Sequence, residues 1–477
     1  MKVLLGIDIG TSGAKAVAIT RDGARIGDAA ERYPTLVDGG GAEQDAEGWW
    51  DAAVRAVERA VGSHIVEAVA VTSQAPTVVP VDSDGRPTSP ALTWLDRRAD
   101  SEAARISDLV PQSRNGADPF FGTAKLPWLA THRPAALELA SHVLSPNGFI
   151  ERRLTGISVL DDTTASLMQG FDEEADGFAD ALLVAEPSLR YLPTVVPAAA
   201  VIGTVTAQAA TQIRIPEGTP VVAGGIDSIG SALEASVLAV GAPLVDMTGF
   251  SSVTILAVER GTTVPGFIHA RHAVPGVDLL ITAQVTAGAT VDWVNGLDAA
   301  VDHRDDAAIL DRARPGHVTM VSALAGERTP TWNRSARGII DGISLDTDAT
   351  DLMLAAMEGN AYALAHDIDV MRAYGYSVDR LVSTGGGATS DAWLQIKSDV
   401  LGVPVERPAA GHGAAQGAAM LAGVATGRIA SFDELATFGH GTEASFAPDA
   451  NRAPDYASAR DRWSEMSALN TTRTRAT

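Results

Sequence analysis

Val3-Leu4-Leu5-Gly6-Ile7-Asp8-Ile9, then Gly10-Thr11-Ser12-Gly13, then Ala14-Lys15-Ala16-Val17-Ala18-Ile19 is the stretch on which the fold reading turns. The first seven residues are apolar and rich in strand formers. Four small residues supply a turn, and the last six alternate as a second strand. The reading is a β-hairpin with one carboxylate, Asp8, at the end of its first strand. Such a turn offers backbone N–H groups and hydroxyls to phosphate oxygens, and the carboxylate suits Mg2+. Any hairpin uses Gly and Ser, so taken alone this one reads as structural.

Working outward, Trp49, Ala53, Val54 and Val57 fall at helical spacing and predict a helix over 46–61. A strand follows over 68–72. A second strand–turn–strand appears over 243–256, where Gly249-Phe250-Ser251 lines up with Gly10-Thr11-Ser12. The pair hints at two related halves joined near residue 242. Further helices are predicted over 350–374, 391–401 and 411–427, and a strand over 380–383. Hairpins and helices together make an α/β architecture with mixed sheets. Beyond about residue 430 the chain is polar, and its end reads as frayed.

The 477 residues predict two to three domains. Hydrophobic residues make up 46% and charged residues 20%, enough for a sizeable core. With 36 Lys and Arg against 59 Asp and Glu, the formal charge is −23. That argues against a nucleic-acid partner and against an anionic membrane surface. The absence of Cys excludes disulfides, thiolate metal sites and cysteine nucleophiles. No apolar run is long enough to span a bilayer and the N-terminus lacks a signal-peptide pattern, so a cytoplasmic location is expected.

Three more spots carry chemistry. In Val221-Val222-Ala223-Gly224-Gly225-Ile226-Asp227-Ser228, an apolar strand ends in glycines and an Asp opens a helix. Asp227 reads either as a helix N-cap or as a general base for a substrate hydroxyl. Gly385-Gly386-Gly387-Ala388 lies between a strand and a helix, where glycines permit close approach of a ligand. Trp94-Leu95-Asp96-Arg97-Arg98 offers a flat ring and hydroxyl partners to a sugar, or else a packed Trp beside an ion pair. There is no GxxxxGK[ST] loop, so this is not a P-loop protein.

Taken together, Gly6-Ile7-Asp8-Ile9-Gly10-Thr11-Ser12, Ala223-Gly224-Gly225-Ile226-Asp227, Ala325-Gly326-Glu327-Arg328-Thr329-Pro330 and Ser383-Thr384-Gly385-Gly386-Gly387-Ala388 resemble the FGGY carbohydrate kinase family. Ala336-Arg337-Gly338 and the 399–405 segment resemble it too, so the likeness runs from Gly6 to about Gly427. The resemblance implies a two-lobed, actin-like ATPase (ribonuclease H-like) α/β fold with a duplicated core and a central cleft. It implies a sugar-binding lobe over 1–242, a nucleotide-binding lobe over 243–435 and a polar tail over 436–477. The implied reaction moves the γ-phosphoryl group of ATP, with Mg2+, to a hydroxyl of a ketose (a pentulose, xylulokinase-like) or a polyol. Asp227 would be the base and Asp8 the metal-side carboxylate. Gly10, Thr11, Ser12, Lys15, Gly249, Ser251 and Gly288 would lie near the phosphates, and Gly386 and Gly387 near the adenosine. Gln74, Trp94, Asp96 and Arg97, with Asp227, would meet the sugar. A homodimer is implied by the resemblance alone.

Two departures stand out. Glycerol kinases carry Arg-Glu, and xylulokinases Met-His, where this chain reads Ala75-Pro76. Those residues cannot supply the same hydrogen bonds, which argues against glycerol and also against ordinary D-xylulose binding, so the substrate is expected to differ. Phe250 replaces the usual Thr of the second hairpin and removes one hydroxyl from the phosphate side. An alternative reading is therefore a catalytically weak sugar- or nucleotide-binding regulator on the same fold.

Overall fold

The two-residue period of the first strand sorts its side chains onto two faces. Val3, Leu5, Ile7 and Ile9 share a core with Trp49, Ala53 and Val57. Leu4 shares another core with Ala415, Ala418 and Ala422. Gly6 and Asp8 continue the Leu4 face. Residues 1–297, 304–312, 314–409, 413–438 and 441–473 are described in this computed structural model.

The first sheet has six strands in the order Val201–Thr204, Pro220–Ile226, Ile65–Ser73, Lys2–Ile9, Gly13–Ile19, Arg25–Arg32. Lys2–Ile9 runs antiparallel to Gly13–Ile19 and parallel to Ile65–Ser73. The second sheet has seven strands in the order Ile268–Arg271, Val277–Gln284, Ser252–Glu259, Leu244–Thr248, Leu381–Thr384, Val405–Pro408, Thr442–Phe446. Its hairpin strands are antiparallel, and Leu244–Thr248 runs parallel to Leu381–Thr384. Each sheet therefore has a hairpin at its centre, a third antiparallel strand on one side and two parallel strands on the other. The duplicated core read from the two hairpins is thus present in the topology.

Helix Ala46–Val61 covers one face of the first sheet. Asp45 caps it by accepting from the Glu47 N–H at 3.0 Å, and Gly62, at φ 54°, ends it. Helix Ala349–Ala373 packs on the second sheet and starts with a capping box between Asp348 and Asp351. Helix Asp391–Leu401 matches the sequence expectation. The expected 411–427 helix is seen as Ala414–Ala425, while residues 411 and 412 fall outside the described ones. Its place is not the second lobe alone: Ala415, Ala418, Ala419 and Ala422 pack with Leu4, Ala68 and Val222 of the first sheet.

The expected polar tail contains one ordered element, while residues 474–477 of the end read as frayed lie outside the described ones. Residues Ala453–Arg473 form a helix. Tyr456, Ala459, Trp463 and Met466 are buried in the same core as Tyr362, Leu364 and Ile368 of the Ala349–Ala373 helix. The apolar positions are spaced by three and four among many polar ones, so one narrow stripe is buried and average polarity misleads. Burying Tyr456 and Trp463 stabilises this arrangement by about 1.5–3 kcal/mol each. Among the described residues no helix is long and apolar enough to cross a membrane.

Candidate functional site

A cleft of about 870 Å³ is lined by residues from both sheets and the segments that follow them. Asp8 and Lys15 of the first sheet line it with Asp227, at the start of helix Asp227–Glu234, and so do Ser383 and Thr384 of the second sheet with Gly385 and Gly386 of the turn that follows. Strand register explains the first group. Asp8 pairs across with Lys15 on one side and with Thr72 on the other. Thr72 pairs in turn with Gly225, two residues before Asp227. Parallel strands that end together thus deliver both carboxylates to one edge of the sheet, as ligand sites at strand ends in α/β proteins require.

The N-cap of helix Asp227–Glu234 is Ile226, not Asp227. The Asp227 carboxylate is therefore not spent on capping; Oδ1 accepts from Ser228 Oγ at 3.3 Å. Burial pushes Asp227 up to about 6, against the pull of Ser228 and the Lys15 charge. Burial pushes Asp8 further, to about 7, and the neighbouring Asp227 adds to it; Lys15 and the Thr72 hydroxyl, 3.2 Å from Oδ1, oppose the rise. Two carboxylates crowded in a low-dielectric edge favour a proton or a cation between them.

The first hairpin turn is tightly held. Gly10 N donates to Gly13 O at 3.0 Å, and the Tyr33 hydroxyl donates to Gly10 O. Thr11 O accepts from Gln44 Nε2 at 2.7 Å and from Thr35 Oγ1 at 3.2 Å. Thr11 Oγ1 accepts from Trp94 Nε1 at 2.9 Å. Ser12 is exposed. Gln44 has a second task, since its Oε1 accepts from Gln74 Nε2 at 2.6 Å and from Trp49 Nε1 at 2.9 Å. Sequence reading did not single out Gln44, because its partners lie far apart in the chain.

The sugar-side candidates divide. Gln74 is buried and its Oε1 has no protein donor, so that acceptor is free for a hydroxyl. Trp94 stands edge-on to Phe120 at 6.0 Å, and the Arg328 guanidinium lies 5.0 Å above its ring. Arg97 pairs with Asp118 at 2.5 Å. Asp96 is fully buried and holds Arg98 and the Ala42 N–H, which accounts for a carboxyl kept below its usual range despite desolvation. Asp96 thus braces the segment that carries Trp94. Lys125, also missed in the sequence, is buried nearby with its Nζ on Pro76 O, and burial pushes it down to about 7.

On the second sheet, Gly249 N donates to Ser251 O at 2.8 Å, and Gly288 N donates to Gly249 O at 3.0 Å. A Cβ on Gly288 would stand 2.2 Å from Gly249 O, so this contact admits glycine only. Phe250 is 72% exposed, and its carbonyl accepts from the Ala287 and Ala289 N–H groups at 3.0 Å. Gly249, Ser251 and Gly288 thus form one cluster beside the cleft but are not among the residues lining it. Gly386 is open to the cleft, with nothing within 4 Å of a Cβ, whereas Gly387 is buried against Thr248.

Comparison with known proteins places the chain in a family. Residues 3–233 match the N-terminal domain model, and residues 248–426 the C-terminal domain model, of the FGGY family of carbohydrate kinases. A xylulose kinase of Escherichia coli is 29% identical over 95% of this chain and 96% of its own. One from Streptomyces rubiginosus is 31% identical over 89% and 88%. The crystal structure of a xylulose kinase from Rhodospirillum rubrum superposes with a TM-score of 0.88 at 27% identity, covering 98% of both chains. The fold is accordingly the two-lobed, actin-like ATPase fold, and the chain belongs to the FGGY family of carbohydrate kinases, enzymes that take the phosphoryl group from ATP.

Proposed function

We propose that this kinase phosphorylates a hydroxyl of a ketose of the pentulose type, or of a polyol, with Asp227 as general base. The observation that carries the reading is the meeting of Asp227, Asp8 and Lys15 at one sheet edge in the cleft. Asp227 orients the substrate hydroxyl and takes its proton. That oxygen bonds the γ-phosphorus as the bond to the leaving ADP oxygen breaks. The xylulose kinase relatives support a pentulose, while Ala75-Pro76 supports a changed specificity.

Asp8 is the residue suited to Mg2+. Among the described residues no cluster of three or more acidic or His side chains could hold a metal alone. That fits a metal bound by one or two carboxylates together with phosphate oxygens and water. When bound, Mg2+ neutralises charge on the phosphates. Lys15 and the Gly10-Thr11-Ser12 turn face the transferred group, Gly249, Ser251 and Gly288 form the second phosphate hairpin, and Gly386 and Gly387 approach the adenosine. Gln74, Trp94 and Arg97 meet the sugar, with Asp96 bracing them. The reading divides the chain into a sugar lobe over 1–242 and a nucleotide lobe over 243–435. It also includes a cytoplasmic location and a homodimer, the latter open to light scattering.

The test is ADP release with ATP and Mg2+ across a panel of ketoses, aldoses and polyols, with Asp227→Ala as control. Turnover with one sugar, absent in the variant, supports the reading. No sugar above background, with nucleotide still bound, moves the weak regulator ahead.

A further inference from the structure

Beneath the second hairpin lies a charged pair that the reaction does not touch. Asp246 is fully buried in the middle of strand Leu244–Thr248, and Lys397 is 2% exposed on helix Asp391–Leu401. Lys397 Nζ donates to Asp246 Oδ2, to Thr248 Oγ1 at 3.0 Å and to Ser383 Oγ at 3.4 Å. Asp246 also accepts from Ser252 Oγ at 2.7 Å, Ser383 Oγ at 2.8 Å and Thr248 Oγ1 at 2.9 Å. All three ammonium donors and both carboxylate oxygens are satisfied, so the pair has no valence left for a ligand.

The partners mark out what the pair holds. Thr248 immediately precedes the Gly249–Ser251 hairpin turn, and Ser252 immediately follows it. Ser383 lies on the strand that leads into Gly385-Gly386-Gly387. The two loops also touch directly. A Cβ on Gly385 would stand 2.5 Å from Thr248 O, and one on Gly387 2.6 Å from Thr248 Cγ2. One carboxylate therefore ties both flanks of the hairpin and the approach to the glycine turn to a single ammonium. Buried ions cost desolvation, and an apolar pair of the same size packs at least as well. What the ionic network adds is direction, because each hydrogen bond constrains an angle where apolar packing would not.

We propose that Asp246 and Lys397 are positioning residues that set the spacing and orientation of the hairpin and the glycine turn for the nucleotide. The inference rests on the reading that these two loops hold ATP.

Three variants test it: Asp246→Leu combined with Lys397→Met, Ser252→Ala, and Ser383→Ala. Each is measured for thermal melting, for Kd of a fluorescent ATP analogue without turnover, and for KM of ATP and of the sugar. The double variant leaves no ion unpaired but removes the acceptor of the buried Thr248, Ser252 and Ser383 hydroxyls, so it is expected to fold with a melting temperature lowered by several degrees. Its analogue Kd and KM for ATP should rise about tenfold, while KM for sugar changes less than about threefold. The single hydroxyl variants, which leave the ion pair intact, should weaken the analogue about threefold. A folded double variant with nucleotide affinity within about twofold of wild type would overturn the positioning role. If the double variant does not fold, unchanged Kd in both Ser252→Ala and Ser383→Ala overturns it instead. A wild-type protein that fails to bind the analogue refutes the nucleotide reading, a result distinct from variants that bind normally.

Discussion

Gly6 lies directly against Ala415: a methyl group on Gly6 would stand 1.8 Å from the Ala415 carbonyl oxygen. Gly417 meets Gly230 in the same way, with a Cβ 1.8 Å from the Gly230 oxygen. These contacts seat helix Ala414–Ala425 on the first strand and on helix Asp227–Glu234. The residues that carry Asp8 and Asp227 are thus clamped by a segment from the far end of the chain. Overpacking ordinarily costs about 1–3 kcal/mol, and here the obstacle is backbone that cannot rotate away. Gly6→Val and Gly417→Leu should each lower the melting temperature by several degrees, or leave protein that does not refold. Melting followed by circular dichroism checks this, and an unchanged midpoint would show that the helix can back away.

Asp227 accepts a proton only when ionised. With its value raised to about 6, the carboxylate is protonated below that pH and charged above it. The profile of kcat/KM for the sugar should therefore fall on the acid side of about pH 6. Asp227→Asn should lose about 10^2–10^4 in rate while melting like the wild type. A flat profile between pH 5 and 7, or near-normal turnover by the variant, assigns the base elsewhere.

Asp367 is 2% exposed on helix Ala349–Ala373 and faces a second cavity of about 260 Å³. Burial, with Glu327 adding to it against a Thr282 hydroxyl, pushes its carboxyl from 3.8 to about 8. Between those values the native state keeps a proton that the unfolded chain has lost. Native stability therefore falls as pH rises across the window, by up to about 1.4 kcal/mol per unit for one group. Asp367→Asn removes the titration. The variant's melting advantage over wild type should grow steadily from pH 5 to pH 8. An advantage that is constant or shrinks with pH would contradict this.

Trp463 and Tyr456 bind the last helix to the second lobe. Tyr456 also donates its hydroxyl to Glu358 Oε1 at 3.1 Å. Trp463→Ala should cost about 3–5 kcal/mol in urea unfolding, the usual range for a large aromatic removed from a core. Truncation after Arg452 should give an aggregating product. A soluble, fully folded truncation would contradict this.

Much of this was legible in the sequence because it is local. The hairpin around Gly10, the helix over 46–61 and the glycine turn at 385–387 are written in short-range periodicity and turn chemistry. Asp227 was visible as an acid at the end of an apolar strand. Whether it capped a helix was not, since a one-residue shift in the helix start decides it. The last helix was not legible because four buried positions among polar neighbours leave average composition unchanged. Gln44 and the Asp246–Lys397 pair were invisible. Nothing near Asp246 in the chain shows that the ammonium from Lys397 will meet it.

By itself, then, the sequence determined the family, the paired hairpins and the acids and glycines available for chemistry, because each depends on residue type and near neighbours. Only the tertiary structure decided which of them share the cleft. Strand register, set by long-range pairing, brings Asp8 and Asp227 to one edge, while the hydrogen bond from the Ala42 N–H and the Arg98 ion pair hold Asp96 in the interior. Such pairings are fixed by the cooperative burial of whole faces rather than by any segment's own preference, so no local reading contains them.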